Sequence, residues 1–362
     1  MPHIEQHTRR RTMRVGLTAL DESKACPGYV LYTPVEGDGT LYLIDLMGDE
    51  VHQWKMPHRP GLYGYLLPNG NLFYNGKIPD DSFQPFEMWP NFKGGVMLEA
   101  DWDGNVLWEY RNGLHHHDAR RTESGGVILL GLERVPEELA ARVQGGVPGT
   151  GAEGMWADEV VEVDASGDRI WEWHAYEHLD VDTDHILFND PRDYWSHGNT
   201  IVPLPDDKLL LSFRSISTVG IIDKRTGEFD WKLGYDVLTQ QHDPNMLPNG
   251  NVLVFDNGAH KRELPMTSSR VIEVDPSTNE IVWQYEDRPV FNFFSPFVSG
   301  ARRLPNGNTL ITEGFFGRMF QVTPDGEVVW EYTCPYFPEG ARGPSNSVFR
   351  ALHYTREELP DL

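Results

Sequence analysis

Six tryptophans recur along the chain, each on a short predicted strand that follows a tight turn. They are Trp54, Trp108, Trp171, Trp231, Trp283 and Trp330. The residues before each turn alternate apolar and polar character, as in LYLIDLMGDEVHQW from Leu41, which predicts a β-hairpin in every repeat. The spacing of roughly 47 to 63 residues is typical of propeller blades rather than of short solenoid turns.

A second hairpin is predicted in each repeat by turns such as LPNGN from Leu247 and from Leu304. Proline suits the first turn position, and Asn-Gly accepts a positive φ. Two hairpins make one four-stranded blade, so the sequence predicts an all-β, six-bladed β-propeller. We expect the blades near residues 28–67, 71–122, 126–204, 208–247, 251–304 and 308–355.

The repeat runs through nearly the whole of the 362 residues, which favours one large domain. We expect an N-terminal extension over residues 1–27 and a single propeller domain over residues 28–362. Two long insertions are expected near 132–157 and 174–196, and the first contains the most helix-like segment, VPEELAARVQ from Val135.

The chain is strongly acidic, with 55 acidic against 31 basic residues and a net charge of −24. Such a charge repels phosphate backbones and anionic headgroups, so we predict neither a nucleic-acid nor a membrane partner. A small aromatic, even anionic, substrate remains compatible, because a local arginine and histidines can reverse the field inside one pocket. The aromatic surface loops leave a homo-oligomer possible.

Cysteine use and the N-terminal residues favour a cytoplasmic location. The arginines at 9–11 resemble part of an export signal, but the following VGLTAL is too short for its apolar region. The only cysteines, Cys26 and Cys334, lie near opposite ends of the chain. A closed ring could bring them together, so a disulfide is conceivable, yet such sparse cysteines are typical of a reducing compartment.

Polar residues are predicted to converge at one mouth of the central channel. When the repeats are aligned on the turn of the second hairpin, His117, Asn199 and His242 occupy the same position in three consecutive repeats. His197 precedes Asn199 by two residues and therefore lies on the same strand face. Arg214 follows the corresponding turn and reaches the same rim.

The propeller itself does not require histidines at this position. The other repeats carry Leu62, Ser299 and Ser347 there. This asymmetry indicates a site built from three imidazoles, an amide and a guanidinium. Aromatic loops at the same rim, which begin at Phe86, Phe291 and Gly314, are suited to wall an apolar pocket.

The segments HHDAR, SHGNT, LLLSFRS and QHDPNMLPNGNVLVFDNG resemble the site motifs of the bacterial arylsulfotransferases. Members of this family are six-bladed propellers that move a sulfuryl group between phenols without a nucleotide donor. The resemblance implies that His242 is transiently sulfated. It also implies that His117, His197 and Arg214 hold the sulfuryl oxygens and that Asn199 assists.

The chemistry of a sulfate ester suits these residue types. Its sulfur is shielded by anionic oxygens, so a neutral imidazole attacks more readily than a carboxylate. Arg214 stays charged and offers paired donors, and His117 or His197 can exchange a proton with the phenol. Such a reaction needs no metal or other cofactor. His116 and His260 are further candidates for substrate binding.

Two other functions use the same residues differently. The imidazoles could hold a metal ion in a hydrolase, lyase or oxygenase, with candidate ligands His115, His116, His117, His197, His242 and His260. Against this, Arg214 would repel the cation, and no His-x-x-x-His spacing occurs. A non-catalytic binding propeller is the second alternative.

Overall fold

Six antiparallel sheets stand in a ring, which confirms the predicted six-bladed β-propeller. The computed structural model describes residues 14–79, 82–261, 266–341, 343–359 and 362. The residues at 9–11 that resemble part of an export signal lie outside this range. Apolar side chains of adjacent sheets pack face to face, so the core is divided among the blade interfaces.

Blades two to five each contain four strands that follow one another from the axis outward. Blade two comprises Pro60–Leu66, Leu72–Lys77, Gly95–Ala100 and Val106–Arg111, and blade three His115–Arg121, Val127–Arg134, Trp156–Val163 and Arg169–His174. Blade four comprises Gly198–Leu204, Lys208–Phe213, Thr218–Asp223 and Phe229–Leu233, and blade five His242–Met246, Val252–Asp256, Arg270–Asp275 and Glu280–Tyr285.

Blades one and six close the ring with strands from both ends of the described chain. Blade one takes its innermost strand, Leu352–Tyr354, from the C-terminal segment and continues with Tyr29–Tyr32, Thr40–Ile44 and Glu50–Lys55. Blade six comprises Gly300–Arg303, Thr309–Glu313, Arg318–Val322 and Val328–Thr333. Gly16–Leu20, from the expected N-terminal extension, adds a fifth strand to it.

The predicted blade boundaries are wrong by one strand. They cut the chain at the Pro-Asn-Gly turns, but those turns join strands that pair with each other. Thus Pro60–Leu66 pairs with Leu72–Lys77 across its turn and is the innermost strand of blade two, not the last strand of blade one.

The recurring tryptophans tie each blade to the next. Five of them donate their indole N–H to the following blade: Trp54 to Asp101 O, Trp171 to Lys224 O, Trp231 to Asn279 Oδ1, Trp283 to Pro324 O and Trp330 to Leu46 O, over 2.7 to 3.2 Å. Trp108 instead lies under the Arg121 guanidinium of blade three, 3.9 Å from the ring centroid. The repeat that predicts the fold therefore also holds its blades in place.

The innermost strands are interrupted by β-bulges near the axis. The register shifts between Gly198 and Thr200 in blade four and between His242 and Asn245 in blade five. A bulge adds a residue to one strand and redirects its side chains. His117 and His197 lie in such segments with φ of 52° and 54°, a region that residues with a Cβ seldom adopt.

Two segments outside the blades pair with each other. Gly145–Val147 and Ile186–Pro191 form a short parallel ladder that joins the two predicted insertions. The helix expected from Val135 is one turn, Glu137–Ala140, and the other α-helices of the described residues are Trp89–Phe92 and Ala175–His178. Short 3₁₀ helices occupy Val290–Asn292, Gly314–Phe316 and Arg356–Glu358, and Glu339–Gly340 pairs with Gly343–Pro344.

Within the described ranges, no helix has the length and apolar character needed to cross a bilayer. Cys26 and Cys334 are both free and buried, in the same apolar cluster between blades one and six. The segments that carry the two cysteines therefore meet as expected, but the conceivable disulfide is not formed.

Candidate functional site

Three of the predicted histidines meet at the propeller axis. His117 comes from blade three, His242 begins blade five, and His197 lies immediately before blade four. The rings of His117 and His197 are 5.1 Å apart between centroids. The Phe349 ring lies 6.3 Å from that of His117 and 6.2 Å from that of His242. We call the cluster that these side chains form with Arg214 the axial funnel.

The tautomer of His242 follows from its neighbours. The Asn257 amide donates to Ser295 O at 2.7 Å and to Ser299 Oγ at 3.1 Å, which turns its Oδ1 toward His242. That oxygen lies 2.8 Å from His242 Nδ1 and can only accept, so Nδ1 carries the proton. In the described part of the chain nothing binds Nε2, whose lone pair is therefore available to a ligand.

Arg214 is held at the rim by two side chains. Its guanidinium donates to Gln240 Oε1 at 2.8 Å and to Asp190 Oδ1 at 3.1 Å. Asp190 comes from the insertion strand Ile186–Pro191, and Gln240 lies just before blade five with φ of 56°. An insertion and a strained turn thus fix the guanidinium that lies near His197 and His242.

The funnel keeps its imidazoles neutral. Burial and the adjacent Arg214 lower the pKa of His242 to about 3. Burial and the neighbouring histidines lower the pKa of His117 well below its usual value, and burial and Arg214 do the same for His197. Each ring therefore has a free nitrogen lone pair at neutral pH.

The remaining predicted site residues occupy different places. His116 lies behind His117, is fully buried, and contacts Asp158, Tyr194 and the Nδ1 atom of His117. Asn199 is also buried, and its amide donates to Gln241 O of the next blade at 2.8 Å. His260 is at the rim, where Asn189 donates to its Nδ1 at 2.7 Å and burial lowers its pKa.

Aromatic side chains wall the funnel on one side. Phe92, at the end of the short helix Trp89–Phe92, stacks on His117 at 4.5 Å and packs against His197 at 4.8 Å. Tyr194 stacks on the other imidazole, His197, at 4.9 Å. The expected aromatic loop from Phe86 thus contributes. From the loop beginning at Phe291, Phe293 instead packs into the core between blades five and six.

A buried ion-pair cluster beneath the funnel was not predicted from the sequence. Arg350 is 1% exposed and contacts Asp118 at 2.8 Å and Asp243 at 2.9 Å. It also donates to Asn199 O at 2.9 Å, so it joins blades three, four and five. Burial opposes the charge on Asp118, but Arg120 and Arg350 outweigh it and keep the pKa of that carboxyl below its usual value. The available signal was the His-Asp dipeptide that occurs in both blades three and five.

The funnel histidines do not bring three ligand atoms close enough to one another to hold a metal ion, as the metal hypothesis requires. Among the described residues, the group with three ligand atoms within 4.8 Å of one another is Glu133, Glu159 and His174. These residues lie on the outer three strands of blade three, where Arg169 already approaches Glu159 at 3.3 Å. The funnel histidines form no such group.

Fold and site together define a six-bladed propeller with a histidine-lined axial funnel. The model of the family described as Arylsulfotransferase (ASST) matches residues 94–334, which is more than half of the chain. The protein therefore belongs to the arylsulfotransferase family, and this membership indicates a transferase. The match spans blades three to six and includes all the funnel histidines.

Among the solved structures, a protein from Bacteroides caccae supports the fold, and the fold alone. No curated protein is significantly similar to the chain. A protein of unknown function from Bacteroides caccae is 15% identical with a TM-score of 0.53, over 84% of this chain and 93% of that one. A streptogramin B lyase structure is 13% identical with a TM-score of 0.48, over 96% and 95% of the two chains. The β-propeller domain of Cps50 (Swd1) from Myceliophteria thermophila is 12% identical with a TM-score of 0.47, over 89% and 87%.

Proposed function

We propose that this protein transfers a sulfuryl group from an aryl sulfate to a phenolic acceptor through a sulfated His242. The observation that carries the proposal is the free Nε2 of a neutral imidazole whose Nδ1–H is fixed by Asn257. It lies in a funnel that combines an arginine with two further neutral imidazoles. Family membership supports the same reaction class.

In the first step, His242 Nε2 attacks the sulfur, the N–S bond forms and the S–O bond to the aryl group breaks. The departing phenolate takes a proton from a funnel imidazole, for which we assign His117. Arg214 and His197 face the sulfuryl oxygens, where negative charge is greatest. In the second step, the acceptor phenol gives its proton back as its oxygen attacks the sulfur. Phe92, Phe349 and Tyr194 hold the aromatic rings.

The assay that tests this function uses p-nitrophenyl sulfate with and without a phenol acceptor. Acceptor-dependent release of nitrophenol, with formation of the new aryl sulfate, is expected. Chelator-treated protein should show the same rate. Metal-dependent release without an acceptor would favour a hydrolase, and binding of the aryl sulfate without turnover would favour a binding propeller.

Replacing Asn257 with leucine should lower kcat by about 10²-fold, because the leucine no longer selects the Nδ1–H tautomer of His242. The loss should appear in kcat more than in KM, since Asn257 does not contact the substrate in this scheme. Steady-state kinetics with p-nitrophenyl sulfate measure it. A control is Asn251→Leu on the turn that joins the first two strands of the same blade, which should stay within a factor of about two. Equal losses in both variants would contradict the assignment.

In the reaction with the sulfate donor, kcat/KM should not fall as the pH drops through 6.5, the usual pKa of histidine. His242 attacks as the free base, and its pKa of about 3 keeps that form populated as the solution is acidified. The value of kcat/KM should therefore change little from about pH 7 to about pH 5. Initial rates with p-nitrophenyl sulfate across this range measure the profile. A tenfold fall per pH unit below 6.5 would rule out a nucleophile with such a depressed pKa.

A further inference from the structure

A buried hydrogen-bonded chain leads away from the funnel through His117. His117 Nδ1 lies 2.9 Å from His116 Nδ1. His116 Nε2 in turn lies 3.2 Å from Asp158 Oδ1 and 3.0 Å from the Tyr194 hydroxyl. His116 and Asp158 are both 0% exposed, so no solvent proton reaches this chain except through its ends.

The hydrogen-bonding partners determine where most of its protons lie. Tyr194 donates its hydroxyl to Asp158 Oδ1 at 2.7 Å, so that oxygen and the tyrosine oxygen can only accept from His116. His116 Nε2 is therefore protonated. Two nitrogens 2.9 Å apart require one proton between them, and it resides on either His116 Nδ1 or His117 Nδ1.

We propose that His116 and Asp158 are positioning residues that relay a proton to and from His117, an inference that rests on the proposed sulfuryl transfer. When His117 Nε2–H protonates the departing phenolate, the proton on His116 Nδ1 moves to His117 Nδ1. When the acceptor phenol gives its proton to His117 Nε2, the proton on Nδ1 returns to His116. Before the phenolate leaves, both ring nitrogens of His116 are protonated, and the carboxylate of Asp158 balances the resulting positive charge.

The relay explains how a ring that resists a positive charge serves as a general acid. Burial and three neighbouring histidines oppose formation of an imidazolium at His117. With the relay, His117 stays neutral throughout, and the charge resides on His116 beside a carboxylate. Asp158 also accepts the Gly198 N–H at 2.7 Å, which fixes the carboxylate against the start of blade four.

The test compares two donors that differ in their need for a proton, p-nitrophenyl sulfate and phenyl sulfate. Nitrophenolate leaves readily without protonation, whereas phenolate does not. Asp158→Asn should lower the rate of sulfuryl transfer from phenyl sulfate by about 10²- to 10⁴-fold and that from p-nitrophenyl sulfate by less than about tenfold. His116→Gln should show the same selectivity. Asp184→Asn, a buried carboxylate that pairs with Lys232, is the matched control and should change both rates by one common factor.

A second measurement does not depend on activity. In ¹⁵N-histidine spectra of the full chain, His116 Nε2 should be protonated in the wild type and unprotonated in Asp158→Asn, because the asparagine amide can donate to it. Equal losses on both donors, or an unchanged His116 tautomer in the folded variant, would overturn the relay. Wild-type protein that transfers from neither donor would instead refute the proposed function, while the tautomer spectra would still decide the hydrogen-bonded chain.

Discussion

His242→Ala should abolish the proposed sulfuryl transfer, with a fall in kcat of about 10⁴-fold or more, because the proposed nucleophile is removed. Mass spectrometry of wild-type protein quenched after mixing with an aryl sulfate, without acceptor, should show one added sulfuryl group on the peptide that contains His242. Both the turnover and the adduct should be missing in the variant.

The matched control is His185→Ala, since His185 lies in an exposed loop of the second insertion. It should retain wild-type turnover and the same adduct. A His242→Ala protein that still transfers, or an adduct on another residue, would contradict the assignment of the nucleophile.

Arg350→Met should lower the free energy of unfolding by about 3 to 5 kcal/mol, which we expect to be the largest stability effect in the structure. The substitution keeps much of the side-chain length but leaves Asp118 and Asp243 buried without their shared cation. Urea unfolding followed by tryptophan fluorescence measures the change.

Adding Asp118→Asn to Arg350→Met should recover part of the loss, because it removes one of the two buried charges that lost their shared cation, although Arg120 and Arg302 still pair with Asp118 and Asp243. Arg169→Met provides the control, since its side chain is 45% exposed and its shorter ion pair, at 2.7 Å, is with the exposed Glu172. It should cost less than about 1 kcal/mol. A comparable loss in both arginine variants would show that the burial of the Arg350 ion pairs does not account for the loss of stability.

The propeller was predictable because its determinants are local and repeated. Alternating strands, turn residues and the recurring tryptophan each appear six times, so an error in one repeat changes little. The sequence did not decide which four strands form one blade. The same alternation of strands and turns fits blades that end at a hairpin turn and blades that end between two hairpins. The pairing of Pro60–Leu66 with Leu72–Lys77 decides it.

The funnel histidines were predictable because they occupy one position in neighbouring repeats. Their supporting residues were not, because these come from segments without a period. Asp190 and Tyr194 lie in an insertion, Asn257 follows the second strand of blade five, and Arg350 is far away in sequence. Bulges matter as well: the extra residue near Gly198 turns Asn199 toward Gln241, so counting back from the turn misplaces its side chain.

The C-terminal segment has a consequence for how the protein matures. Arg350 lies two residues before Leu352–Tyr354, the strand that completes blade one. The cation shared by Asp118 and Asp243 is therefore synthesised together with the strand that completes blade one. Before that, Asp118 keeps Arg120 and Asp243 keeps Arg302 as an ion-pair partner, so a partly made chain lacks the guanidinium that ties blades three and five to each other at the axis.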